Sequence, residues 1–278
     1  MTIQLRPEPV EAVEARAARV RRIGAWYVAE HQWRVTRQFA AVTIATTVGT
    51  PFLYLFAFGV GLASLVSASG VSVDGVSYLT FVAPALICTA AMTIATGEFT
   101  FPIMLGFKWN PVFLGMNAAP LSGGQIIGGH ILFVTMRMTA TSIAYYLVML
   151  LFGAVPSAWG LMAIPIAVLT GLAFGAPILA YACRLKEETG QFSIIMRVIL
   201  LPFTLFSGTV FPLEQLPVFL QWIGWISPLW HGTELARQFS YGVSEPIWLS
   251  VGHVLFLVVI AVVFIRLAIR FAVRRLDR

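Results

Sequence analysis

The residue types that carry most enzyme chemistry are few in this chain and stand far apart. The four histidines are His31, His130, His231 and His253, and none falls in an HxxH or HExxH spacing that would place two metal ligands on one helix face. No Ser-His-Asp set and no paired carboxylates lie within the apolar stretches. The pattern predicts no catalytic residue and no metal site, and it disfavours an intramembrane enzyme.

Nucleotide chemistry is also not expected from this chain alone. A phosphate-binding loop needs a Gly-Lys pair, because backbone N–H groups surround the phosphates while the lysine reaches them. The two lysines, Lys108 and Lys186, follow Phe107 and Leu185 instead. If ATP is used, a separate chain must therefore bind both ATP and Mg.

One ionisable residue, Arg137, lies near the middle of a long apolar stretch. An arginine at the centre of a bilayer costs about 2.5–3.5 kcal/mol on insertion scales, so it should face the helix bundle, a partner or water. Two interpretations stay open. Arg137 could contact an anionic substrate head group, or it could bond backbone carbonyls or a carboxylate. Arg197 lies close enough to a helix end to reach the interface and is given no role.

The elements that must position these residues are apolar. Hydrophobic residues make up 59% of the 278 residues and charged residues 11%, against about 25% charged in soluble domains. The apolar runs are roughly 20 residues long and lack the alternation of barrel strands, so the sequence predicts an all-α integral membrane protein. Six transmembrane helices are expected, near residues 40–66, 78–97, 125–151, 159–182, 191–211 and 247–268.

Charge settles the predicted topology. Seven of the 18 basic residues lie in the first 39 positions and five in the last 13. With six spans, the loop 98–124 and the turn 184–188 join both ends on one side, which then holds fifteen basic residues, as the positive-inside rule requires. We therefore expect both termini in the cytoplasm. The same pattern argues against a nucleic-acid partner despite the pI of about 9.7.

Three segments flank or interrupt the predicted spans. Residues 1–39 should be a cytoplasmic N-terminus with an amphipathic interfacial helix carrying Trp26 and Trp33, although a solvated basic tail is the alternative. Residues 212–233 are apolar but contain Pro212, Pro217 and Pro228, and the run of about ten residues between the last two is too short to cross, which predicts a re-entrant helical segment before the last span. Residues 40–269 would form the transmembrane domain and 270–278 a basic cytoplasmic tail.

The most specific stretch runs from Phe206 to Leu213 (FSGTVFPL) and continues through Leu216-Pro217 to the block from Pro228 to Arg237 (PLWHGTELAR). It resembles the C-terminal signature of type-2 ATP-binding-cassette export permeases. The similarity is closest to the branch of nodulation lipo-oligosaccharide and daunorubicin-resistance exporters. The stretch from Pro120 to Leu132 is similar to this family's entry into the third span. The resemblance covers nearly the whole chain.

The resemblance implies the permease subunit of an ATP-driven exporter in a bacterial inner membrane. Its partners would be two copies of an ATPase subunit, which bind ATP and Mg, and a second permease subunit, identical or related. The cargo would be amphipathic: a lipo-oligosaccharide, a lipid-linked glycan or a hydrophobic drug. The loop 98–124 would dock on the ATPase, although its Phe107-Lys108-Trp109-Asn110 stretch departs from the more basic pattern expected there.

The residues to which roles are assigned fall into two groups. The ATPase-coupling group is Glu98, Phe99, Lys108 and Trp109. The substrate-pathway or gate group is Arg137, Phe52, Tyr54, Phe56, Ser207, Gly208, Phe211, Pro212 and Trp222.

Each assignment has a plainer alternative. The aromatic run of the first span could simply face lipid, and the tryptophans of the 212–233 segment could anchor the protein at the interface. Glu98 could be a carboxylate at a helix end in water. His231, Glu234 and Arg237 stand three residues apart, which favours a local ion pair over a substrate site. A secondary transporter and a non-transport assembly protein are the rival functions.

Overall fold

The computed structural model describes residues 10–62, 75–119 and 121–277. The end of the first predicted span, residues 63–66, and Pro120 lie outside these ranges. The described residues form helices joined by short turns, which confirms the all-α prediction. The helices are α1 (Val10–Arg37), α2 (Ala40–Phe56), α3 (Tyr78–Glu98), α4 (Phe101–Met104), α5 (Val112–Ala118), α6 (Gly123–Leu151), α7 (Ala163–Arg184), α8 (Gln191–Phe206), α9 (Val218–Trp225), α10 (Pro228–Tyr241) and α11 (Ile247–Leu276).

Among the described residues, four helical stretches are long and apolar enough to cross a bilayer. They are Tyr78–Trp109, Gly123–Leu151, Ala158–Arg184 and Ile247–Leu276. A fifth results if Arg22–Arg37 and Ala40–Phe56, which meet at 89°, count as one bent span. Helix α8 has only 16 residues, fewer than the roughly 17–25 that a span needs. The six-span count therefore stays a prediction.

One predicted boundary differs from the helices observed. The fifth predicted span extended to residue 211, but α8 ends at Phe206, because Gly208 takes a left-handed φ of 68° that breaks the helix. The second predicted span, 78–97, agrees with α3, whose last residue is Glu98. After a break at Thr100, helical residues resume and continue to Trp109.

Helix α1 packs on the beginning of α6. Val28 and Ala29 are buried in this contact, while Trp26 and Trp33 on the other face are exposed. The helices approach so closely at Gly129 that a Cβ atom there would lie 2.4 Å from the Ala25 carbonyl oxygen. A helix within the segment 1–39 is thus confirmed, with a kink at Ile23. Its position at a membrane interface stays a prediction.

Helix α7 occupies the centre of the bundle and packs on α3, α10 and α11. Small residues make this possible, since close backbone approach replaces hydrophobic driving force between membrane helices. A Cβ atom at Gly171 would lie 2.9 Å from the Ala91 carbonyl oxygen of α3. A Cβ atom at Gly232 of α10 would lie 1.8 Å from the Thr170 hydroxyl. These two contacts fix how α3 and α10 sit against α7.

Three basic regions meet at one end of the bundle, which we call the basic end. Lys108 Nζ lies 2.9 Å from Glu187 Oε1 in the turn after α7. Arg275 of α11 donates to the Leu185 carbonyl at 2.6 Å and lies 4.2 Å from the Phe107 ring centre. The charge count predicted that these regions share a side. Helix α11 continues to Leu276, so most of the predicted tail 270–278 is helical.

Candidate functional site

A cavity of about 460 Å³ lies between α2, α3, α6 and α8. One face of each helix lines it, because residues four apart share a helix face. Eight of its nineteen lining residues are threonines, so the cavity is rich in hydroxyl groups. The threonines are Thr46, Thr47, Thr50, Thr89, Thr93, Thr141, Thr204 and Thr209, and the aromatic residues are Tyr54, Phe58 and Tyr145.

Four of these eight threonines, Thr46, Thr89, Thr93 and Thr204, already donate a hydrogen bond within their own helix. Thr89 donates to the Ala85 carbonyl at 2.8 Å and Thr93 donates to the Thr89 carbonyl at 2.8 Å. Thr204 of α8 bonds Leu200 in the same way. A hydroxyl group that donates to its own backbone keeps its lone pairs, so it presents an acceptor to the cavity.

Arg137 reaches the cavity from α6 and pairs with Glu98. Its Nη1 atom donates to Glu98 Oε1, and the two side chains are 28% and 19% exposed. Of the two interpretations left open by the sequence, the structure shows the bond to a carboxylate. The two residues had been assigned to different groups, and the structure joins them in one ion pair. The cavity therefore carries no unpaired positive charge at Arg137.

The backbone around Glu98 explains how this pair is held. The helix breaks at Thr100, whose φ of −109° and ψ of −99° are not helical. The Glu98 carbonyl lies 3.0 Å from His130 Nε2, and it accepts when that nitrogen carries the proton. The Thr100 hydroxyl donates to the Thr96 carbonyl at 2.9 Å. These bonds satisfy backbone groups that the break leaves free.

At the far end of the cavity from the basic end, Arg237 clamps the turn that follows α8. It is 1% exposed. Nη2 donates to the Gly208 carbonyl at 2.7 Å, Nη1 to Glu234 at 2.8 Å and Nε to the Phe81 carbonyl at 3.3 Å, while the guanidinium lies 3.7 Å from the Phe81 ring centre. The predicted Glu234–Arg237 ion pair is confirmed, but Arg237 does far more than join its neighbour.

The predicted gate residues lie around this clamp, and the cavity is lined by their neighbours Thr209 and Val210. The Tyr78 hydroxyl donates to the Val210 carbonyl at 3.0 Å and so ties the turn to α3. Ser207 is buried and lies 2.7 Å from the Ser227 hydroxyl. Beyond the buried Gly208, Phe211 and Pro212 are half-buried and Trp222 is exposed on α9.

The aromatic residues predicted for the pathway divide between two faces of α2. Tyr54 lines the cavity. Phe52 and Phe56 stack on each other with ring centres 6.1 Å apart, and both are about half exposed outside it. These two positions match the lipid-facing alternative.

The four predicted coupling residues also divide. Glu98 lies within the bundle, and Phe99 is 1% exposed, so it has almost no surface to offer a partner. Lys108 and Trp109 are exposed at the basic end. The hydrogen bond and charge of Lys108 lower the pKa of the exposed Glu187 carboxyl, which keeps that carboxylate ionised beside it.

Sequence reasoning missed the threonine faces and the clamp. The signal for the first was present, since Thr46 and Thr50, and likewise Thr89 and Thr93, stand four residues apart in apolar stretches. No signal pointed to the clamp, because the Phe81 and Gly208 partners of Arg237 are distant in the sequence.

A sequence profile described as ABC-2 type transporter matches residues 24–241. Nodulation protein J of Rhizobium leguminosarum bv. viciae is 30% identical over 206 residues, which cover 74% of this chain and 78% of that protein. Nodulation protein J of Rhizobium meliloti (strain 1021) is 28% identical over 206 residues, covering 74% and 77%. The protein of that name from Rhizobium leguminosarum bv. trifolii is 28% identical over the same length and coverage.

Proposed function

The chain belongs to the ABC-2 type transporter family, as a membrane component of an exporter, and we propose that its threonine-lined cavity is the path of an amphipathic, hydroxyl-rich cargo. The cargo classes considered from the sequence were a lipo-oligosaccharide, a lipid-linked glycan and a hydrophobic drug. The lining favours the two glycan-bearing classes. This observation carries the proposal: the cavity combines hydroxyl acceptors with aromatic faces and an already paired arginine.

The chemistry follows from the hydrogen-bond directions. Sugar hydroxyl groups donate, and the oxygens of Thr89, Thr93 and Thr204 can accept because the protons of these threonines are donated to backbone carbonyls. Tyr54 and Tyr145 add ring faces on which the apolar side of a sugar can pack. A hydrophobic drug would leave these acceptors unpaired, which costs binding free energy. A polyanion would find Arg137 already neutralised by Glu98.

The Arg237 clamp and the Arg137–Glu98 ion pair lie towards opposite ends of the cavity. Phe81 and Glu98 are 17 residues apart on α3, or about 25 Å, so the clamp and the ion pair span most of a hydrocarbon core. We assign gating to the turn held by Arg237, which includes Ser207, Gly208, Phe211 and Pro212. Its opening would release cargo at the end opposite the basic end.

We further propose that the basic end faces the cytoplasm of a bacterium and docks two ATPase subunits, which bind ATP and Mg. The exposed Trp109 and Lys108 support this placement, together with the meeting of three basic regions there. A second permease, identical or related, would complete the pathway from the other side. The positive-inside rule puts both termini on this cytoplasmic face of the inner membrane.

The test is co-expression of the tagged chain with an ABC ATPase encoded beside it. We expect the two to co-purify, and inside-out vesicles to take up a fluorescent acylated oligosaccharide in an ATP-dependent manner. The matched control is the same complex with a substituted catalytic carboxylate in the ATPase, which should abolish uptake. Uptake that survives this substitution, and follows a proton gradient instead, would favour the secondary-transporter alternative.

A further inference from the structure

A second cavity, of about 400 Å³, lies on the other side of α8 from the threonine-lined one. We call it the rear groove; α7, α8 and α11 line it, with Ile226 and Pro228 at one end. Apart from the Tyr181 hydroxyl, its lining side chains are apolar, in contrast to the hydroxyl-rich cavity. Helix α8 is therefore a wall between two spaces: Thr204 and Leu205 face one, and Ile199 and Phe203 face the other.

The rear groove runs along the helices towards the basic end. Phe174, Ile178 and Tyr181 on α7 stand four and three residues apart, so they form one stripe about 10 Å long. Phe264 on α11 lies opposite this stripe. Near the groove's middle, Phe174 and Phe203 meet edge to face with ring centres 5.6 Å apart.

An arginine stands where the stripe ends. Arg184 comes three residues after Tyr181, one turn closer to the basic end. Its guanidinium lies 5.7 Å from the Phe271 ring centre, and Phe271 is two helical turns beyond Phe264 on α11. Arg184 is exposed. Its charge thus sits between α7 and α11 at the mouth of the groove.

We propose that the rear groove binds one acyl chain of an anionic phospholipid whose phosphate lies at Arg184. A space of this size at bilayer depth disfavours water, since Tyr181 supplies the one polar side-chain group among its lining residues, and an empty space would forfeit packing contacts. Hydrocarbon from the surrounding bilayer is the available filler. The positive charge at the mouth selects an anionic head group, because basic residues next to a membrane attract anionic lipids.

The bound acyl chain would pack against the side of α8 that faces away from the threonine-lined cavity. This helix has 16 residues and is interrupted by a π-helical turn over Ile195–Leu200. A lipid in the rear groove would therefore set the position of the wall that carries Thr204. The inference concerns a lipid that stays with the protein, so it does not depend on which cargo is exported or on the ATPase.

Native mass spectrometry of the full chain, purified in mild detergent, tests this with two probes: phosphatidylglycerol and phosphatidylcholine at equal concentration. We expect the wild-type chain to retain phosphatidylglycerol preferentially. Ile199→Trp, which fills the groove, should reduce retention of both lipids at least tenfold. The matched control is Val198→Trp on the exposed face of the same helix, which should retain lipid as the wild type does.

Arg184→Gln tests the head group separately. It should bring retention of the two lipids to near equality while total retention changes little.

If Ile199→Trp is not recovered as a monodisperse protein, Ile199→Phe fills part of the same space and serves in its place. Wild-type retention in the groove-filling variant would overturn the site. An unchanged preference in Arg184→Gln would overturn the assigned head-group contact.

Discussion

The Arg137 guanidinium on α6 pairs with the Glu98 carboxylate of α3 where the threonine-lined cavity turns towards the basic end. The two residues are 39 positions apart, and their opposite charges compensate each other inside the bundle. Arg137 lines the cavity, while Glu98 ends α3, just before the residues that lead to the exposed Trp109. This pair connects the proposed cargo path to the proposed docking surface.

Replacing one partner of this ion pair should destabilise the fold more than replacing both partners. Arg137→Met leaves the Glu98 carboxylate without its charged partner, and we expect a loss of about 3 kcal/mol, the lower end for buried pairs. The double variant Arg137→Met/Glu98→Gln should recover most of the lost thermal stability. The measurement is the unfolding midpoint of the purified chain in detergent. A double variant no more stable than Arg137→Met would show that the pair is not the cause.

The clamp at Arg237 requires a guanidinium and not merely a positive charge. Arg237→Lys keeps the charge but cannot reach Gly208, Phe81 and Glu234 together, since an ammonium lacks the planar fork. We expect a destabilisation of about 2 kcal/mol, from the cost of unpaired buried groups. We also expect added protease to cleave the turn that follows Gly208 faster in Arg237→Lys than in the wild type. Arg197→Lys, at an exposed position of α8, is the control. Equal behaviour of the two variants would refute the clamp.

Substitutions of Trp109 and Phe99 should distinguish a role in ATPase docking from a role in core packing. Trp109 is 50% exposed, so Trp109→Ala should leave the fold intact but weaken ATPase binding by about 2 kcal/mol, as truncation of an interface tryptophan does. Phe99→Ala should instead lower thermal stability by about 3 kcal/mol. The control is Trp248→Ala, which is 74% exposed at the end opposite the basic end. The account fails here if Trp248→Ala weakens ATPase binding as much as Trp109→Ala.

Glu245, in the turn between α10 and α11, gives the fold a pH dependence. Burial, with a smaller contribution from Glu234, raises the pKa of its carboxyl above the ordinary 4.5. A carboxyl with a raised folded pKa stabilises the fold below its ordinary pKa, and that stabilisation is lost as the pH rises through the raised value. Glu245→Gln should therefore raise the unfolding midpoint at pH 7.5 more than at pH 4.5.

The control for this prediction is Glu214→Gln, at an exposed position. It should shift the unfolding midpoint little at either pH. A Glu245→Gln variant that is less stable than the wild type at pH 7.5 would mean that ionised Glu245 is paired with His253, whose Nε2 atom lies 3.6 Å away.

Features that can be counted along the sequence, such as the lengths of apolar runs and the positions of basic residues, predicted the fold well. Apolar run lengths located α3, α6, α7 and α11, and the positions of the basic residues anticipated that the regions of Lys108, Glu187 and Arg275 share one side. Features that depend on helix rotation could not be read in this way. Tyr54 and Phe56 are two residues apart, yet one lines the cavity and the other does not. Glu98 is the last residue of α3, as the sequence predicted, but its ion pair with Arg137 of α6 depends on how the two helices face each other.

The most direct test of the central claim is the reactivity of single cysteines towards a small water-soluble thiol reagent, with Cys88 and Cys183 replaced by alanine. Thr93 lines the cavity, whereas Thr139, which also donates to its own helix, lies on a different surface. With the ATPase bound, Thr93→Cys should react without nucleotide, and its rate should change at least tenfold when ATP and vanadate trap the closed ATPase. Thr139→Cys should react slowly in both states. Equal rates at the two positions, or a Thr93→Cys rate unaffected by trapping, would contradict the assignment of this cavity as the export path.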